Sequence, residues 1–74
     1  MDELQDTPTL MQFSQFMEII EDSVRNGESI FSWEDFKDIM SEQEANVCVD
    51  LAVNSGMLSV KRSKYGFKAA LLNF

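Results

Sequence analysis

Cys48 is the one thiol in a chain that has no histidine. A cysteine acts as a nucleophile when a base or a nearby cation holds it as the thiolate. Cys48 has neither beside it in the sequence, and its place on the apolar side of a helical stretch reads as that of a small buried hydrophobe. A lone cysteine forms no internal disulfide, and a chain without histidine has no zinc site of ordinary ligand composition. The thirteen acidic residues include pairs that could do acid–base work, but so small a domain leaves little room for a cleft between them. No glycine-rich phosphate loop occurs. These residues predict a protein without a catalytic centre, cofactor or metal, and leave contact as the chemistry to look for.

Three groups of side chains have the types and spacing for contact. Gln43, Asn46, Asp50 and Asn54 recur at intervals of three and four, which puts them on one strip of a helix. Asn and Gln amides can pair with adenine edges, although a DNA-reading helix normally has arginine or lysine nearby and this stretch has none. The plainer reading is a solvated face. Lys61, Arg62, Lys64 and Lys68 cluster around Tyr65, a set suited to phosphates or a flat surface, or to guarding an edge strand against aggregation. Glu18, Glu21, Asp22, Glu28, Glu34, Asp35 and Asp38 gather carboxylates in the first half of the chain. They either imitate nucleic-acid charge toward a basic partner or serve as solubilising charge, and Glu21 and Arg25 are spaced for a local helical pair.

The net charge of −7 opposes nucleic acid and anionic membranes as partners. It is unevenly spread. Residues 1–42 hold eleven acids against Arg25 and Lys37 and carry −9, whereas residues 43–74 hold Glu44 and Asp50 against four cations and carry +2. Proteins that grip duplex DNA alone commonly make about 6–10 phosphate contacts, and the chain has six basic residues in all.

The elements that must position these groups follow from periodicity. Met1 to Asp6 reads as a loose acidic leader ahead of a single domain over 7–74. Thr7-Pro8 is a helix-start signal. Leu10, Phe13, Met17, Ile20 and Val24, widened by Phe16 and Ile19, then form an apolar helical stripe that Asn26-Gly27 ends. Ser29 to Ser32 is a brief extended segment. Ser32 restarts a short second helix with Trp33, Phe36, Ile39 and Met40 on one face, and Ser41 with Glu44 makes the capping box of a third. That third helix turns Ala45, Cys48, Val49, Leu51 and Ala52 inward and stops at Asn54-Ser55-Gly56. Beyond it Leu58 and Val60, then Phe67, Ala69 and Leu71, alternate as strands about a polar turn, and Leu72-Asn73-Phe74 packs its end on the helices. Trp33 and the five methionines read as core packing more than as an adaptable groove, with Met11 and Met57 dispensable to the stripes.

Helix, extended segment, helix, tight turn, helix and hairpin is the element order of the winged helix-turn-helix superfamily. The chain resembles that superfamily from about Thr7 to Phe74, most tellingly in Asp50-Leu51-Ala52-Val53-Asn54-Ser55-Gly56-Met57-Leu58-Ser59-Val60-Lys61-Arg62. The resemblance implies three helices, a short first strand and a two-stranded wing, with the third helix toward a major groove and the wing along the DNA backbone or minor groove. Winged helices also serve as protein-docking modules, so fold alone does not choose.

Taken together, the sequence predicts a regulatory or inhibitory module that docks onto a larger protein, such as one that processes nucleic acid, through acidic helices and a basic wing. The alternative is a dimeric DNA-binding regulator in which Gln43, Asn46 and Asn54 read bases. No apolar run approaches the ~18 residues of a membrane span. The cytoplasm is the expected compartment, with no membrane partner.

Overall fold

The structure, a computed structural model, describes residues 8–72. The acidic leader, Thr7 of the expected start signal, and the chain end at Asn73-Phe74 lie outside the described residues. Helix α1 (Leu10–Arg25) is capped by Thr9, whose hydroxyl accepts the Gln12 amide N–H at 3.0 Å while the Gln12 side chain accepts the Thr9 N–H at 2.8 Å. The cap is therefore Thr9, and Pro8 precedes it where the sequence reading had placed proline inside the first turn. Phe16, Met17 and Ile20 are buried, with Phe13, Ile19 and Val24 packed against the core. Leu10, expected on the inward stripe, is 85% exposed: as the first helical residue it lies beyond the elements that cover the rest of the stripe. Gly27 closes the helix at φ +89°, a conformation that suits glycine because no Cβ clashes there.

Three strands follow the helix, interrupted by two helical segments. Strand β1 (Ile30–Ser32) leads into one 3₁₀ turn (Trp33–Phe36). Helix α2 (Glu42–Asn54) comes next, then β2 (Leu58–Arg62) and β3 (Gly66–Leu71). The sheet order is β1-β3-β2, antiparallel throughout, with Phe31 opposite Phe67, Val60 opposite Ala69 and Leu58 opposite Leu71. The expected fold of three helices with a two-stranded wing is thus corrected: the chain forms two α-helices and a three-stranded antiparallel sheet.

The missing helix has a physical cause. Trp33, Phe36 and Ile39 recur every three residues, the repeat of a 3₁₀ turn, so the turn over Trp33–Phe36 and the one that follows it already bring them against the core. Asp35 accepts the Ser32 N–H at 3.0 Å and starts the turn, while Ser41 caps α2 only five residues after Phe36. An α-helix confined between β1 and that cap would have to form its costly nucleus for about two turns of helix. The backbone instead closes on the Phe36 carbonyl, which accepts from both Ile39 and Met40 at 2.9 Å. Gln12 of α1 donates to the Ile39 carbonyl at 3.1 Å and fastens this turn to the first helix.

β1 is a full partner in the sheet because β3 has room for it. A Cβ on Gly66 would collide with the Phe31 carbonyl oxygen, so this close strand crossing needs glycine. On the inner face Phe67 collects the aromatic core, with ring centroids 5.3 Å from Phe31, 5.4 Å from Trp33, 6.0 Å from Phe36 and 6.2 Å from Phe16. Ala45, Cys48, Val49 and Ala52 of α2 complete it. Leu51, expected inward, is 45% exposed, because the small residues at 45, 48, 49 and 52 already define the buried side of this helix.

Candidate contact surfaces

Helix α2 presents the predicted strip as expected from its spacing, with Gln43, Asn46, Asp50 and Asn54 all exposed. Its middle is occupied. Arg62, at the end of β2, donates from Nε to Asn46 Oδ1 at 3.2 Å and from Nη2 to Asp50 Oδ1. One guanidinium therefore ties the hairpin to the helix and satisfies the two side chains at the centre of the strip.

The basic cluster does not form one patch. The hairpin closes through a Ser63 N–H to Gly66 carbonyl bond of 2.9 Å, leaving Lys64 and Tyr65 as its two-residue tip. Lys64 Nζ stands 5.6 Å from the exposed Tyr65 ring, and both line a depression with Glu34 and Glu42, so carboxylates surround the tip. Lys61 and Lys68 instead stand directly opposite each other on the outer face of the sheet, next to Ile30. Ile30 is 77% exposed, and among the described residues no carboxylate lines the two depressions these lysines share. Like charges placed opposite one another on a sheet are unfavourable by a few tenths of a kcal/mol.

The acidic group stays open. Glu18, Asp22, Glu34, Asp35 and Asp38 are exposed and Glu21 is half-buried. Asp35 is engaged with the Ser32 amide, but none of the six has a cation within ion-pair distance among the described residues, where Arg62–Asp50 is the ion pair present. The helical pair expected between Glu21 and Arg25 does not form, although both line one depression.

That depression was not foreseen. Its volume is ≈ 250 Å³ and its apolar lining is Met17, Met57, Leu71 and Leu72, with Gly56, Glu21 and Arg25 completing it. A second depression adjoins it along α1, bounded by Phe13, Ser14, Met17, Glu18, Glu21 and Met57. Met57, dispensable to the apolar stripes, is 38% exposed. Leu72, expected to pack with the chain end on the helices, is 38% exposed, and its position depends on the Leu72 N–H bonding the Met57 carbonyl at 3.0 Å, a pairing only the tertiary fold creates. A partial sequence signal was present for the α1 side: Leu10, Met17 and Glu21 follow at seven and four residues and so share one helical face.

Cys48 is fully buried, its Sγ 3.8 Å from Met40 Sδ. Loss of solvation, reinforced by the charge of Glu44, pushes its thiol from 9.0 up to about 11, so it stays protonated at neutral pH. Among the described residues no three metal-ligating side chains come together, and no helix is long and apolar enough to cross a membrane. No family model, curated protein or solved structure matches the chain.

Proposed function

We propose that this protein is a small non-enzymatic module that acts by occupying a cationic surface of a larger protein. The observation that carries this reading is the open acidic surface of α1 and the 3₁₀ segment, whose carboxylates lack cationic partners within the described residues. Unpaired charge of one sign steers a complementary partner and raises its association rate. The Cys48 thiol, buried and protonated, is not offered to solvent as a nucleophile. A regulatory or inhibitory role follows from occupancy alone.

A second reading, duplex DNA binding, has one observation in its favour: Lys61 and Lys68, which face outward from the sheet without an ion-pair partner among the described residues. The rest weighs against it. Arg62 is spent on Asp50 and Asn46, which engages a phosphate-binding cation and one of the three base-reading side chains together.

The experiment is capture of partners from native lysate at physiological salt, run beside a salt titration of a randomised duplex pool. Protein capture without a duplex shift supports docking. A duplex shift that weakens steeply with salt and disappears in a Lys61→Ala/Lys68→Ala variant would favour the second reading. Recovery of no protein would overturn the first.

A further inference from the structure

The geometry points to a specific occupant for the depression between α1 and the β2–β3 end of the sheet: a cationic amphipathic helix of a partner protein. This deepens the docking reading above and rests on it. The two adjoining depressions share Met17, Glu21 and Met57 and so form one groove. Leu10 continues the α1 wall outward, since it lies two turns before Met17 on the same face and is 85% exposed. From Leu10 to Glu21 the wall runs about 16 Å, the length of three helical turns. Its floor is apolar and adaptable, because methionine repacks around varied side chains.

Charge selects among occupants. Glu18 and Glu21 form the rim along the groove, and Arg25 stands at its far end. The whole chain carries −7, which repels a second copy and an acidic segment but attracts a basic one. A helix with leucine-like residues at intervals of three and four and lysine or arginine on its flanks would bury the apolar side on Met17, Met57 and Leu72. Its cations would then meet Glu18 and Glu21. This is the helix-in-groove mode of recognition.

The test uses the full chain labelled at the methionine methyl groups and a synthetic Leu/Lys amphipathic peptide of about five turns, with a scrambled peptide of equal charge as comparison. Binding should shift the Met17 and Met57 methyl signals and leave Met40, buried beside Cys48, unmoved. The scrambled peptide should bind at least about tenfold more weakly. Met57→Lys, at an exposed position, should weaken the amphipathic peptide by about tenfold or more, while Leu51→Lys on the far helix should leave affinity unchanged. Equal binding of both peptides, shifts confined to other methyls, or an unaffected Met57→Lys variant would overturn the groove. So would concentration-dependent shifts of Met17 and Met57 in the free chain, which mark a second copy as the occupant, or peptide binding that requires removal of residues 73–74. If lysate capture persists in Met57→Lys, the groove fails and docking stands; if capture by the unaltered chain is itself absent, docking fails first.

Discussion

Arg62 has a different meaning in each of the two functional readings, and its removal separates them. Both members of the Arg62–Asp50 pair are about half exposed, so water and salt screen it, and Arg62→Ala should lower stability by no more than about 1 kcal/mol in a denaturant titration. It should also fail to create DNA binding, since the freed Asp50 adds negative charge to the helix strip. Cys48 makes a second residue-scale prediction. Its folded thiol titrates near 11 while an exposed one titrates near 9.0, so above pH 9 the unfolded chain releases the proton first. The stability contribution is complete below pH 9 and declines as pH rises toward 11, by roughly 1 kcal/mol per pH unit. A Cys48→Ala variant should lose that component of the slope, and a thiol reagent at pH 8 should modify the native chain far more slowly than the unfolded one. The buried place of Cys48 was legible from its position on the apolar side of the helix. The Arg62 clamp was not, because residues 46, 50 and 62 are brought together only by the packing of β2 against α2.

Between residues and molecule, the elements show which local signals are decisive. The Ser41–Glu44 capping box and the Gly56 stop were readable and bound α2 as expected, so Ser41→Ala should cost about 1 kcal/mol through loss of the cap. The second helix was misread because its apolar residues satisfy a three-residue repeat as well as a helical one, and a short segment settles for the turn that needs less ordering. The pairing of β1 was missed for a different reason. Ile30 to Ser32 is too short to announce its pairing, and the sign that it pairs lies at Gly66, the far side of the contact. Gly66→Ala should therefore destabilise the fold by about 1–3 kcal/mol or more, with loss of amide protection at Phe31 and Phe67, because its methyl would collide with backbone that has no flexible end to yield. Opposition of Lys61 to Lys68 also follows from a two-residue hairpin tip, and recognising Lys64-Tyr65 as that tip would have revealed it in the sequence.

At the scale of the whole molecule, a small aromatic core supports surfaces of unequal charge. Phe67 is central to that core, and Phe67→Ala should cost about 3–5 kcal/mol, a large part of the roughly 4–11 kcal/mol expected for a domain of this length. Such a variant should be largely unfolded near body temperature by circular dichroism. The docking surface depends on charge more than on shape, since exposed Glu18 and Asp22 and half-buried Glu21 share one side of α1 with no cation within ion-pair distance among the described residues. Docking driven by them should weaken with ionic strength as the screening length falls from about 10 Å toward 3 Å. The most direct measurement is quantitative capture from native lysate by the unaltered chain and by a Glu18→Gln/Glu21→Gln/Asp22→Asn variant, each across about 0.1 to 1 M salt. Basic proteins retained by the unaltered chain, released as salt rises and missing from the variant, are the expected result. The same proteins held equally by both chains at every salt concentration would contradict an acidic docking surface.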